Sequence, residues 1–190
     1  DYVNRTGSGI ASLYHFTQVV SYIFYHLFGA NAWLWHILYI TLQATNALLL
    51  FLFFGRSFND SSVRNGVLAA FAGGLLFCLS PCISEVVVWE SSFHYLLGLL
   101  LMMLVLLCAQ QFIITQKNKY ALWGGIIFFC STYCLEVFYL TPIFVLLTGI
   151  YYQLTGRQVL KKVLLYFSLP QSLLFVLYFI LLRIRYHQTI

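Results

Sequence analysis

Long apolar runs, each parted from the next by a few polar residues, leave this chain one solvent it can fold in. A membrane span takes about 20 mostly apolar residues, and runs of that character occupy residues 33–54, 67–79, 95–112, 121–154 and 163–182. The 121–154 run is too long for one helix across about 30 Å of hydrocarbon. Its polar break from Ser131-Thr132 to Glu136, followed by Pro142, divides it into two spans that meet near Glu136. The expected fold is therefore all-α, a polytopic bundle of about six transmembrane helices. Composition agrees: 62% of the 190 residues are hydrophobic and 8% are charged, against roughly 25% charged in a soluble domain. No large water-soluble domain fits beside the spans.

The net charge of +5 does not indicate nucleic acid, because the basic residues stand singly between apolar runs, where a bilayer accounts for them. The five cysteines include the i,i+4 pairs Cys78/Cys82 and Cys130/Cys134. Neither pair has the further ligands of a metal signature, and packing is their expected role. The chain opens at Asp1 without the basic flank, apolar core and cleavage site of a signal peptide, so it reads as a single membrane domain, a fragment of something longer. Residues 1–30 form an external loop with an interfacial helix, and residues 31–190 form the transmembrane bundle.

That interfacial helix is read from residues 13–28. His15, Gln18, Tyr22 and Tyr25 or His26 recur at helical spacing, with Phe16, Val19, Val20, Ile23, Phe24 and Leu27 largely elsewhere. An aromatic amphipathic helix in the membrane interface suits this pattern; a tight span is the other reading. Within 33–54, His36, Tyr39, Gln43 and Asn46 form one polar stripe. Helix–helix hydrogen bonding explains it as well as a substrate channel does.

Orientation follows from charge. Alternate connectors carry Arg56 and Arg64, then Lys117 and Lys119, then Arg157, Lys161 and Lys162, seven of the ten bases, and these should be cytoplasmic. The opposite side collects Asp1, Glu85, Glu90 and Glu136. A carboxylate at a membrane boundary costs several kcal/mol unless hydrated, paired or coordinated, so a site is expected there. In a helical connector Glu85 and Trp89 share a face, an acid beside an indole, which suits a sugar ring. A hydrated helix cap and an interface anchor are the simpler roles for the same two residues. Arg183 and Arg185 fall on the same outer side, where they suit a phosphate or lipid head, although snorkelling needs no ligand.

The order of FGANAWLWHILYITLQATNALLLFLF, FAGGLLFCLSPCISEVVVW, TYCLEVFYLTPIF and YFILLR resembles the membrane part of polyprenyl-phosphate-sugar-dependent glycosyltransferases. The nearest likeness is to the O-mannosyltransferase branch and its tetratricopeptide-containing relatives. The resemblance spans nearly the whole chain and rests on order and spacing, since each motif is short. It implies transfer of a sugar from a polyprenyl-phosphate donor to a protein or glycan acceptor on the non-cytoplasmic face of a bacterial inner membrane or endoplasmic reticulum membrane. It assigns Asp1 as the acceptor base, Glu85 and Glu136 as further catalytic acids, and Arg183 to the lipid phosphate. Trp89, Glu90, His94 and Arg185 complete the expected substrate contacts. Departures are visible: Ser80-Pro81 replaces a frequent His-Pro, Phe93-His94-Tyr95 replaces Arg-x-Asp, and Leu135 replaces the lysine before Glu136.

No cofactor is required by the pattern. Asp1, Glu85 and His94 could converge on a divalent metal ion, but no tight spacing demands it. The competing reading is a non-catalytic membrane protein, a transporter or a lipid-linked-glycan binding subunit.

Overall fold

The computed structural model describes residues 15–57, 63–79, 93–134 and 136–186, with the side chains at 15, 63–65, 136 and 181–186 excepted. Among the described residues the structure is helical, with no strand. The described elements are, in order, α1 (His15–Phe28), α2 (Ala32–Ser57), α3 (Val63–Leu79), α4 (Phe93–Thr115), α5 (Asn118–Thr132), a 3-10 turn (Glu136–Leu140), α6 (Thr141–Leu154), α7 (Leu160–Val163), a π turn (Leu164–Ser168) and α8 (Leu169–Tyr186).

Helix α4 is the axis of the bundle. Eleven of its 23 residues are buried, and α1, α2, α5, α6 and the 3-10 turn all pack on it. Side-chain pairings fix the helix directions. Tyr39 meets Phe93, Asn46 reaches Leu96 and Phe53 reaches Gln110, so α2 and α4 run parallel. Gly74 lies beside Ala47 and Gly73 beside Phe54, so α3 returns antiparallel to α2. Phe138 packs on Gly98 just before α6 begins, and α6 also descends alongside α4. Helices α5 and α8 rise together, with Gly124 against Phe167 below and Tyr133 against Tyr178 above.

The result is a bundle with two ends. The upper end holds the start of α2, the end of α3, the start of α4 and the 3-10 turn. The lower end holds Ser57, the Gln116-Lys117 connector and the turn after Leu154. Each end has its own apolar cluster. Tyr39, Phe93, Leu96, Leu97, Cys134 and Phe138 are buried together above. A larger group built on Val105, Phe112, Phe128, Val145, Val163 and Phe167 is buried below.

Among the described residues four helical segments are long and apolar enough to cross a membrane: Ala32–Ser57, Phe93–Thr115, Val137–Leu154 and Leu160–Ile180. Their outer faces are apolar as well, with Leu48, Leu147 and Leu173 all more than half exposed. The other two expected spans are shorter within the described residues, and α3 borders residues outside them on both sides. Helix α3 has 17 residues and α5 has 15, about 25 and 22 Å at 1.5 Å per residue, against about 30 Å of hydrocarbon. Helix α5 stops because Ser131 and Thr132 turn their hydroxyls back onto the carbonyls of Phe128 and Phe129, a local bond that competes with helix continuation.

Pro170 does not simply kink its helix. It cannot donate to the Tyr166 carbonyl four residues back, and the chain widens into the π turn directly before it. Within that turn Phe167 is swung onto Gly124, where an added Cβ would lie 2.5 Å from the ring. Ser168 Oγ donates to the Pro142 carbonyl at 3.2 Å, so the widened turn fixes α8 against α6.

Candidate functional site

An aromatic groove opens at the upper end between α1 and the start of α2. Its formation begins with Gly29, whose φ of 56° ends α1 in a left-handed turn that glycine adopts without strain. Asn31 then starts α2, its Oδ1 accepting the Trp33 amide at 3.1 Å. The turn delivers Trp35 back over α1, where its Nε1 donates to the Gly29 carbonyl at 3.1 Å. Edge contact with Phe28 (ring centroids 5.8 Å apart) and a tilted contact with Tyr39 (6.1 Å) hold the indole. Phe93, the first residue of α4, closes the inner wall against Tyr39 at 5.9 Å and Phe24 at 6.4 Å.

Two adjoining hollows of about 400 and 390 Å³ follow, sharing Ser21, Tyr25 and Trp35. Gln18 and Tyr22 line the outer one and Tyr39 and Phe93 the inner one. Aromatic faces beside hydroxyl and amide groups form a surface for a ligand with both an apolar face and polar edges.

Helix α1 is arranged to make that surface. Phe16, Val20 and Phe24 pack inward on the upper cluster, and Thr17 is buried among them. Val19, Ile23 and Leu27 form an exposed apolar stripe, and Gln18, Tyr22, Tyr25 and His26 an exposed polar one. Three stripes rather than two therefore run along a 14-residue helix.

Of the residues expected in the site, Asp1, Glu85, Trp89 and Glu90 lie outside the described residues. Glu136 is the first residue of the 3-10 turn, and Arg183 and Arg185 belong to the last turns of α8. At 1.5 Å per residue Arg183 is about 7.5 Å along the helix beyond Tyr178, which itself touches Tyr133 and Tyr139 at the upper end. The backbone thus carries Glu136 and Arg183 to the end of the bundle where α3 finishes and α4 starts, the two helices that flank residues 80–92. His94 stands in the first turn of α4, half-buried, its ring on Tyr95 at 4.4 Å. Among the described residues no three His, Cys, Asp or Glu side chains gather as a metal site.

Below Glu136 the connector is tightly made. Cys134 is buried and directs its Sγ to the Cys130 carbonyl. Burial pushes its thiol up to about 11, despite a lowering contribution from the Thr17 side chain. The Tyr133 hydroxyl is raised by the same cause.

Sequence reasoning did not single out Trp35 or Ser21. The signal was present in the break at Gly29 and Asn31, which turns the indole of α2 back over α1. The polar stripe of α2 resolves into packing for the most part: Tyr39, Gln43 and Asn46 are buried, His36 is exposed, and Asn46 Nδ2 donates to the Leu96 carbonyl at 3.0 Å.

No family model, curated protein or solved structure matches this chain. What fold and surface define is a class: among the described residues, an all-helical structure with four helices long and apolar enough to cross a membrane.

Proposed function

We propose that the chain is part of an integral-membrane glycosyltransferase that moves a sugar from a polyprenyl-phosphate donor to a protein or glycan acceptor outside the cytoplasm. The observation that carries this reading is the groove of Tyr25, Trp35 and Tyr39 with Ser21 at its rim, at the same end of the bundle as the backbone of Glu136 and Arg183. A sugar offers an apolar ring face to indole and phenol and hydroxyls to the polar rim. In this reading α3 and α5 are the fifth and sixth membrane helices and α1 lies in the interface, its exposed apolar stripe in lipid and its polar stripe in water. The bases of the lower end are cytoplasmic, in a bacterial inner membrane or endoplasmic reticulum membrane.

Asp1 is the acceptor base, taking the hydroxyl proton as the acceptor oxygen attacks the anomeric carbon. The glycosyl–phosphate bond breaks and its electron pair leaves on the lipid phosphate, where Arg183, with Arg185 behind it, stabilises the departing charge. Glu85 and Glu136 polarise the cavity, and Trp89, Glu90 and His94 hold the sugar.

The test is transfer from a labelled polyprenyl-phosphate sugar by the full-length protein in proteoliposomes. Transfer that disappears in Asp1→Asn supports the assignment. Absence of any sugar release, across several donor sugars, overturns it. A second reading, a transporter or glycan-binding subunit, is favoured by one feature: the buried amide of Gln43 in α2 has no hydrogen-bond partner among the described residues. Flux across sealed vesicles that persists in Asp1→Asn selects that reading.

A further inference from the structure

The lower end carries a second cavity, unlike the groove above. Helices α2 and α6 splay apart over α4, leaving a cleft of about 240 Å³ walled by Phe53, Phe54, Leu106, Phe144 and Leu147. Its lining is almost wholly carbon. Phe144 and Leu147 are 41% and 53% exposed, so the cleft opens on the bundle's outer, lipid-facing side. At the bottom it is closed by Tyr151, whose hydroxyl donates to the Ser57 carbonyl at 2.8 Å.

Charge marks the same rim. Arg56 stands one turn beyond Phe53 on the same side of α2, adjacent to the lining residue Ser57, and is exposed. Three further bases of this end make local contacts: Lys162 Nζ donates to Gln116 Oε1 at 2.7 Å, Arg157 lies over the Tyr152 ring at 5.7 Å and Lys119 over Tyr120 at 5.2 Å. Asp60 is the one acidic residue in the sequence between Arg56 and Lys117 apart from Glu85 and Glu90, which belong to the opposite connector.

We propose that this cleft is a site for an anionic phospholipid, one acyl chain lying between α2 and α6 and the headgroup phosphate held by Arg56. An apolar slot with an exposed arginine next to its lining residue Ser57 complements a hydrocarbon tail ending in a phosphate, and a guanidinium binds phosphate through paired N–H groups.

The experiment titrates delipidated full-length protein in non-ionic detergent with phosphatidylglycerol and with phosphatidylcholine of the same chains, reading the shift in thermal unfolding midpoint. Phosphatidylglycerol binds about fivefold tighter, the worth of one basic contact at a membrane surface. Arg56→Gln removes that preference and leaves phosphatidylcholine affinity as it was. Leu147→Trp, at an exposed position, fills the slot and weakens both lipids. Lys119→Gln, on the same end and away from the cleft, changes neither. Equal affinity for the two lipids, equal losses in Arg56→Gln and Lys119→Gln, or glycerol 3-phosphate binding as well as the lipid overturns the proposal. If Leu147→Trp misfolds, the contrast between Arg56→Gln and Lys119→Gln decides alone.

Discussion

The two ends of this bundle are built from the same apolar helices and solve different problems. Below, the described turns are short and closed by side chains. Gln116 takes a left-handed φ of 54°, normally costly away from glycine, and its amide donates to the Ile113 carbonyl at 3.0 Å while its oxygen accepts from Lys162. Gln153 Oε1 accepts the Val159 amide at 3.1 Å across the turn after α6. Above, the described connections are a glycine turn, a five-residue 3-10 helix and an aromatic groove, over the smaller of the two apolar clusters. Among the described residues the difference lies in what the side chains do: at the basic end they close the turns, and at the groove end aromatic rings are left with surface to offer.

The largest effect expected of that contrast is on turnover. Glu136→Gln and Arg183→Gln should each lower kcat for sugar transfer by about 100-fold or more, the usual cost of removing a group that stabilises transition-state charge. Lys117→Gln and Arg157→Gln, at the basic end, should leave it unchanged. An arginine acting on the departing phosphate changes kcat more than KM; equal effects at the two ends would break the functional distinction between them.

Next in size is thiol reactivity. With its thiol pushed up to about 11 by burial, Cys134 has roughly 100-fold less thiolate at pH 8 than a free cysteine near 9. Maleimide labelling of Cys134 in the folded protein should therefore be slow and rise about tenfold per pH unit through that range. Detergent-unfolded protein should label quickly. Labelling of Cys134 as fast in the folded state as in the unfolded protein would mean that the connector below Glu136 is open rather than packed.

How much of this was legible in the sequence depends on the range of the interaction. The breaks at Gly29 and Asn31, at Gln116 and at Ser131 to Glu136 were readable, because residues that end helices act locally. The length of α5 was not: it was expected as a full span, and where it ends depends on back-bonding at Ser131 and Thr132. Pro170 was legible as a disturbance, while its outcome as a π turn depends on Gly124, far away in sequence. The lower cleft was invisible because Phe53, Leu106 and Phe144 meet only through the fold. For the upper site the sequence places Glu136 and Arg183 at one end through helix alternation, and the backbone agrees; Asp1, Glu85, Trp89 and Glu90 lie outside the described residues.

A packing contrast comes third. At Gly98 an added Cβ would fall 1.9 Å from the Phe138 ring, so the 3-10 turn can lie on α4 only because residue 98 has no side chain. Gly98→Ala should destabilise by about 1–3 kcal/mol, the range for overpacking, and loosen the connector that carries Glu136. Gly125 on α5 has open space around it, and Gly125→Ala should be neutral or stabilise by up to about 1 kcal/mol through helix propensity. Unfolding in mixed micelles with increasing dodecyl sulfate measures both. Equal responses would show that the upper end tolerates displacement of Phe138.

The smallest effect separates the two buried amides that tie α2 to α4. At the lower end Gln110 Nε2 donates to the Phe53 carbonyl at 2.9 Å and to Ser57 Oγ at 2.7 Å, and Tyr151 joins the same group through the Ser57 carbonyl. At the upper end Asn46 makes one such bond, to the Leu96 carbonyl. Polar contacts between membrane helices average about 0.6 kcal/mol, so Asn46→Leu should cost about that much and Gln110→Leu about twice as much. A double-mutant cycle of Gln110→Leu with Tyr151→Phe should show coupling through Ser57, whereas Asn46→Leu with Tyr151→Phe should be additive across the length of the bundle. The same variant decides what the polar stripe of α2 is for. If Asn46→Leu loses only this small increment of stability and transfer survives, the stripe is packing; if folding is intact and substrate flux across vesicles is abolished, Gln43 and Asn46 line a path, and the transport reading replaces the enzymatic one.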